Sequence, residues 1–528
     1  MIYLAWRAEV VMKKSNRTTN TIYNTGSNFL VVILKYVFAF VSRTIFIKFL
    51  GETLLGVNEL LINVLYVLSI AELGLSVAIG YSLYAPIAKN DNSKISQIMS
   101  LYKKAYRYIG IFVLLFGVII YLCLPFLINE TDLTQEVQIV YILYLVGTAM
   151  TYFLSYKDIL ITADQKFYKL TKINIFFQIV SFALEIFAIA VLNSYIFYVV
   201  FKFLALVLQR LIINVYIGRC YKEIDFNCKV KLDKKTKKEI KRSVKGLVLH
   251  KVGEYAVNGT DSIIISYFLN IVLVGIYSNY ILLTKVAQNI LTTFYDSVVP
   301  SLGNLIVEKD TTKTMGIFKK MDFLGFSLYG LLSVLFTCCA NAFVRIWIGD
   351  EYLLPQVTVF LISSSFFLMG LRMSAYSVKS AAGIFKEDSW SPFLQAVVNL
   401  VISVILCQFI GLDGIVIGTI VSGFVPVFAR IFYLYKLTFK TSPKEYLMKR
   451  FLVYIVFYVV VSGLSVGACN LVTTFSGALD VLVKMLIALT IYILLFIVVF
   501  RRCEEYRFLG EIVSGVRRKV TRKWKKKK

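Results

Sequence analysis

Long apolar blocks dominate the pattern of this chain. Stretches of roughly 20 residues recur from Gly26 to Phe500, each long enough to cross a hydrocarbon core of about 30 Å as a helix. The blocks are continuous and do not alternate, which excludes a β-barrel. They predict helices over residues 24–50, 54–84, 107–128, 137–162, 173–193, 195–217, 246–269, 271–300, 322–343, 356–382, 391–411, 414–436, 451–473 and 481–500. The expected fold is therefore an all-α polytopic membrane protein of about 14 transmembrane helices. Met1 to Tyr23 has neither the apolar core nor the small-residue cleavage site of a signal peptide, so insertion is expected to begin with the first helix. Met12, followed by Lys13 and Lys14, is placed to initiate the chain as well as Met1 is.

Composition agrees: 58% of the 528 residues are hydrophobic and 17% charged, too apolar for soluble domains. Eight cysteines form no C-x-x-C pair, so neither a disulfide scaffold nor a metal site is indicated. A net charge of +27 in a soluble protein would suggest nucleic acid, but here it follows the membrane, and no nucleic-acid partner is expected. One set of alternate loops carries Lys89, Lys94, Lys103, Lys104 and Arg107, then Lys166, Lys169 and Lys172, then Arg219 to Lys245, and finally the tail ending Lys525 to Lys528. The other set carries Glu130, Asp132, Glu136, Asp350, Glu351 and Asp480, with Arg345 as its clear cation. By the positive-inside rule the basic set and both termini are cytoplasmic, which requires an even number of helices. The basic loops are also expected to touch anionic lipid.

The sequence also repeats. Slid by about 219 residues, Ile45 meets Ile264, Phe49 and Leu50 meet Phe268 and Leu269, Leu54 meets Leu273, and Gly56 meets Gly275. Ile62 then meets Ile281, Ser82 and Leu83 meet Ser301 and Leu302, and Asp91 meets Asp310; a slip of a residue or two pairs Phe167 with Phe385 and Gln178 with Gln395. A repeat of six helices is parallel, so two six-helix lobes are expected around a central cavity, with two extra C-terminal helices as a brace or a lipid-facing surface. The implied organisation is an N-terminus (1–23), an N-lobe (24–217), a basic linker (218–245), a C-lobe (246–436), helices 13 and 14 (451–500) and a basic tail (501–528).

The segment Phe49-Leu50-Gly51-Glu52-Thr53-Leu54-Leu55-Gly56, the segment Glu72-Leu73-Gly74-Leu75 and the helix plan resemble bacterial polysaccharide-repeat-unit (O-antigen or capsule) flippases of the multidrug/oligosaccharidyl-lipid/polysaccharide exporter superfamily. The resemblance covers the chain through its helix plan, while its local motifs are loose. It implies a multi-pass protein of the bacterial inner membrane that carries an undecaprenyl-pyrophosphate-linked oligosaccharide to the outer leaflet, alongside glycosyltransferases and a polysaccharide polymerase. The alternatives on the same fold are a flippase for the lipid-linked peptidoglycan precursor and a drug or cation exporter. A membrane-embedded polyprenyl-glycan enzyme is a distant alternative: the outward loops are short, no D-x-D motif occurs and His250 is the sole histidine.

Charges inside apolar helices mark cavities or partners, since each costs about 2.5–3.5 kcal/mol at a helix centre. Lys35 and Arg43 on the first helix lie within about 80° of each other around it. Lys251, Glu254 and Asp261 lie on the seventh. The repeat offset sets Lys35 against Glu254 and Arg43 beside Asp261, two charge layers some 10–12 Å apart that would exchange a carboxylate for pyrophosphate oxygens. Lys285 and Arg372 are further candidates for a cationic wall, and they favour an anionic cargo over a cationic drug. Glu72, Glu185 and Asp296 are candidates to bind a coupling proton or sodium ion; no other cofactor is expected. Lys157, Arg210 and Lys379 are read as interfacial, snorkelling or pairing. Reversing both charges, Lys35→Glu with Glu254→Lys, is expected to restore transport lost in each single variant; a double variant as inactive as the singles overturns that pairing.

Overall fold

A bilayer offers no water to backbone N–H and C=O groups, so each crossing must satisfy its own, and helices do so within one segment. The computed structural model describes residues 17–72, 74–128, 134–230, 232–307, 311–384, 387–472 and 476–511. Among them the elements are helices joined by short turns, and twelve helices are long and apolar enough to cross a membrane. The chain divides into two compact units, Met1–Lys251 and Val252–Lys528. Glu130, Asp132, Leu73, Asp310, Phe385 and the terminal lysines lie outside the described residues.

The first unit opens with a continuous assignment over Arg17–Leu68 that is broken at Gly51, where φ is +83°. Residues 17–50 are α1 and residues 52–68 α2, a hairpin turned by a residue that a side chain would strain. The second crossing was expected as one helix over 54–84. It is instead divided: α2 tightens into a 3₁₀ turn, Ser69–Glu72, and Gly74, at φ +73°, precedes α3 (Leu75–Ala88). A left-handed residue cannot continue a right-handed helix, which is why the helix restarts there. Then follow α4 (Asn92–Leu127), α5 (Gln135–Ser155), the short α6 (Asp158–Ala163), α7 (Thr171–Ala190) and α8 (Tyr195–Cys220). The fourth crossing, expected over 137–162, thus breaks at Tyr156 and Lys157.

Between the halves, the expected basic linker is helical from Lys234: α9 (Lys234–Phe268) begins well before its membrane part. Asp233 opens it, accepting from the Thr236 backbone N–H at 2.7 Å. Its carboxyl is held down to about 2 by that backbone bond, by the Thr236 hydroxyl and by the Lys94 ammonium 3.3 Å away. It is therefore ionised at the positive end of the helix, where a negative charge is favourable. The membrane part of α9, residues 248–268, is studded with polar side chains, which keeps it out of the set chosen by hydropathy. With it, and with α1 and α2 separated at Gly51, fourteen crossings are traced among the described residues.

The second unit continues with α10 (Ile271–Val307), α11 (Thr311–Trp347), α12 (Gln356–Leu371), α13 (Met373–Ala381), α14 (Trp390–Ile410) and α15 (Leu412–Tyr433), then the turn α16 (Lys444–Tyr446), α17 (Leu452–Leu471) and α18 (Ala478–Phe500). Expected over 356–382, the tenth crossing breaks at Arg372 between α12 and α13. The break falls in the fourth crossing of its half, as the break at Lys157 does. Helices α10 and α11 extend about 55 Å at 1.5 Å per residue, beyond a core of about 30 Å.

Helices α17 and α18 are seated on α11 by aromatic rings: Phe326 stacks on Tyr454 at 4.0 Å and meets Phe500 at 5.3 Å, and Phe323 meets Phe496 at 5.4 Å. Tyr446 donates to the buried carboxylate of Asp322 at 2.9 Å, and Ser374 of α13 donates to the same oxygen at 2.8 Å. The added pair is thus a brace on its own half, while Leu482, Leu486 and Val498 face outward. The hairpin of α14 and α15 is closed by small residues: a Cβ on Gly414 would lie 2.4 Å from the Leu406 backbone carbon. Such close approach is what small residues allow in membranes. Gly414→Val is expected to cost about 1–3 kcal/mol by overpacking, seen as a lower melting temperature of the purified protein in detergent.

Candidate membrane-embedded polar sites

In the first unit, Arg43 on α1 is 8% exposed and forms an ion pair with Glu59 on α2. The two stand equally far from Gly51, one before it and one after, so the antiparallel hairpin brings them level. Beside them, Glu185 of α7 accepts from Ser181 at 2.6 Å and from Ser42 at 3.4 Å. Lys202 of α8 donates to the Tyr198 hydroxyl at 3.3 Å. Asn58, buried on α2, accepts from Tyr144 at 2.6 Å and Tyr195 at 3.4 Å. Two cations, two carboxylates and a set of phenols thus share one helix cluster. Lys35, on the same helix as Arg43, is exposed.

In the second unit, Asp261 of α9 accepts from Tyr277 of α10 at 3.4 Å and from Thr419 of α15 at 3.3 Å. Asn399 of α14 donates to Thr419 at 3.1 Å and accepts from Thr260 at 3.4 Å. The other Asp261 oxygen, Oδ1, is buried without a hydrogen-bond partner, and Lys285 of α10 is within electrostatic reach. Asp261 and Tyr277 stand equally far from Leu269, where α9 turns into α10. The geometry repeats that of Arg43 and Glu59.

The other residues singled out from sequence fall as follows. Glu72 sits in the 3₁₀ break of the second crossing and accepts from Tyr106 at 2.9 Å. Arg372 is the half-buried joint of α12 and α13. Lys251 and Glu254 lie on α9 and Asp296 on α10, and their side chains are outside those described, as is that of His250. Arg43 and Asp261, expected as a pair, each have a partner within their own half.

Among the interfacial cations, Arg210 of α8 pairs with Asp158 at 3.0 Å. Lys157 donates to the Asn214 carbonyl at 3.0 Å and lies over the Phe226 ring. Lys379 is 1% exposed and paired with Asp388, itself fully buried and 3.6 Å from Arg430. Pairing rather than snorkelling therefore accounts for Arg210 and Lys379. Glu59, Lys202, Asn399, Thr419 and Asp388 are site residues not expected from the sequence. The symmetry about the Gly51 turn was the available signal for Glu59; Lys202 was visible as a cation within the sixth apolar block.

These sites, on helices that cross a membrane in two units, belong to a transporter fold. An inward-facing multidrug resistance MATE family transporter of the MOP superfamily superposes with a TM-score of 0.61 at 14% identity, covering 80% of this chain and 94% of that one. The lipid II flippase MurJ, in an inward closed conformation, gives 0.59 at 13%, covering 91% and 99%. The Vibrio cholerae MATE transporter VcmN gives 0.56 at 13%, covering 80% and 99%. No curated protein matches in sequence. Residues 22–305 match the family model described as polysaccharide biosynthesis protein, and the chain belongs to that family. The fold is the one these solved membrane transporters share.

For the Arg43 site, Arg43→Gln and Glu59→Gln are each expected to lower the melting temperature more than half as much as the double variant does. A coupling energy of at least about 1 kcal/mol in that double-mutant cycle is the measurement that checks it; strict additivity would remove the pair from the stability of the hairpin.

Proposed function

We propose that this protein flips an undecaprenyl-pyrophosphate-linked oligosaccharide repeat unit from the inner to the outer leaflet of the bacterial cytoplasmic membrane by alternating access. The observation that carries the reading is the membrane-buried Arg43, held by one carboxylate, in a chain of the polysaccharide biosynthesis family. A guanidinium in that setting is satisfied when no cargo is bound and can trade the Glu59 carboxylate for a phosphate oxygen without ever being left bare. A pyrophosphate is thereby bound by exchange, and the differential contact that shifts a conformational equilibrium is supplied. Lys285 and Arg372 extend the cationic set in the second half. The basic loops place both termini on the cytoplasmic side by the positive-inside rule, where glycosyltransferases supply the cargo; a polymerase consumes it on the other side.

Coupling is assigned to Asp261. Its neighbours are oxygen donors, the Tyr277 and Thr419 hydroxyls with Asn399 behind them, and an unpartnered carboxylate oxygen in such a set takes up a proton or a sodium ion. Lys285 nearby senses whether that charge is neutralised, which links the ion to the cationic wall. MurJ, by its name, flips lipid II, and the MATE relatives, by theirs, confer multidrug resistance; the family match favours a glycan-bearing lipid over a drug.

The test is reconstitution in vesicles with a lipid-linked oligosaccharide and a leaflet-specific lectin or chemical readout. Protein-dependent movement is expected, reduced at least tenfold by Arg43→Ala, and Asp261→Asn is expected to abolish its dependence on a proton or sodium gradient. Absence of movement under either gradient overturns the function, whereas unaltered ion dependence in Asp261→Asn overturns only the coupling assignment.

A further inference from the structure

Away from these sites, the first unit contains a partly open cavity of about 210 Å³ lined by α1, α6, α7, α8 and the turn Phe167–Leu170. It lies at the end of the helices that carries Lys166 and Lys169. Its polar lining is Asp158, Asn174, Gln178, Gln209 and Arg210. Within that lining, Gln209 donates to Asn174 at 3.1 Å and Arg210 Nη1 to Asp158 Oδ2 at 3.0 Å. Three further polar atoms are buried with no hydrogen-bond partner: Asp158 Oδ1, Gln178 Oε1 and Arg210 Nε. Three such atoms on residues that line one cavity are a concentration of unmet hydrogen bonding, and buried polar groups are ordinarily satisfied.

The chemistry that satisfies them is narrow. Arg210 and Asp158 cancel in charge, so the cavity has no call for an ion. Nε–H requires one acceptor; Asp158 Oδ1 and Gln178 Oε1 require two donors. A pair of adjacent hydroxyls supplies two O–H donors and spare acceptor lone pairs in one rigid unit. The volume is below the roughly 300–1,000 Å³ of drug-sized pockets, enough for a single sugar ring and too small for an oligosaccharide. Phe167 and Leu170 offer an apolar wall to the C–H face of such a ring. We propose that this cavity is a binding site for a neutral vicinal diol, as presented by one sugar ring or by a lipid headgroup's glycerol. Assigning the diol to the cargo's glycan rests on the flippase reading; the diol site itself does not.

The experiment uses the full-length protein in phosphatidylcholine nanodiscs and ligand-observed saturation-transfer NMR, with methyl α-glucopyranoside in one arm, glycerol 1-phosphate in the other and tetrahydropyran as the ring without hydroxyls. The glucoside is expected to receive saturation and tetrahydropyran not to. Gln178→Leu and Arg210→Lys, the latter keeping the charge opposite Asp158 while removing Nε, are each expected to cut the glucoside signal at least fivefold with melting temperatures unchanged. Signal from glycerol 1-phosphate alone, lost in the same variants, supports the diol site with a lipid headgroup as its source. No signal in either arm, which would leave the cavity to water, or signals undiminished in Gln178→Leu, overturns the proposal. Vesicle transport separates it from the flippase reading. A raised KM for the glycolipid at unchanged maximal rate in Gln178→Leu ties the site to cargo, and unchanged transport with lost glucoside binding leaves the diol site standing as a headgroup site.

Discussion

The controlling constraint is that a polar side chain placed in hydrocarbon must find its partner within the protein. Water is not there to take the hydrogen bond, and an ion left alone costs more than a membrane helix gains from several apolar residues. The cheapest partner is the neighbour across a hairpin, because the turn has already paid the entropy of bringing the two helices together. Arg43 meets Glu59 across the turn at Gly51, and Asp261 meets Tyr277 across the turn at Leu269. Arg43 and Asp261 thus each have a partner within their own half. The alternating access proposed above would favour that arrangement, since a charge that depended on the other half would be exposed whenever the halves parted.

The same constraint explains where the helices break. Interrupting a membrane helix frees backbone groups, which is tolerated where side chains from neighbouring helices stand ready. At the break in the second crossing, Glu72 and Tyr106 bond to one another. The fourth crossing breaks after Ser155, where the Asn214 side chain of α8 donates to the Leu154 carbonyl at 2.6 Å. Arg372 occupies the corresponding joint of the tenth. Arg210 and Arg430, separated by the repeat offset to within a residue, each reach a carboxylate near the end of the fourth crossing of their half. Common breaks and common ion pairs argue for descent of the two halves from one ancestor more strongly than matches among apolar residues do.

Much of this was legible in the sequence. Periodic apolar blocks and the bilayer thickness fixed the crossings closely, as at Gly51, where the expected end of the first helix and the observed break coincide. Helix interruptions were not legible: Glu72 and Arg372 stand at two of them, but a charge within an apolar block shows no break by itself, because hydropathy is blind to dihedral angles. Nor were helices that continue into solvent: the basic stretch before Lys245 reads as a loop by charge, while its capping by Asp233 makes it a helix. In the sites, the charged residues were visible one by one, but their partners were assigned through the repeat offset alone. Antiparallel register about the turn is the stronger rule, since it acts between helices in direct contact, and it picks Glu59 for Arg43.

That change of partner alters what the buried cation can do. A pair formed between halves would be a latch, closed in one state and open in another, with the cation exposed in the open state. A pair formed within a hairpin does not depend on the relation of the halves, so in the proposed cycle opening and closing would not need to pass through a bare guanidinium. On the proposed function, selection for an anion would come from competition at Arg43, since a ligand has to match a carboxylate in charge and bidentate reach to displace Glu59. Asp261, with hydroxyls and an amide around it, would by the same proposal favour a cation. The two hairpins, alike in geometry but one holding an ion pair and the other a lone carboxylate, would thus divide anion recognition and cation recognition between the two halves of the flippase cycle proposed here.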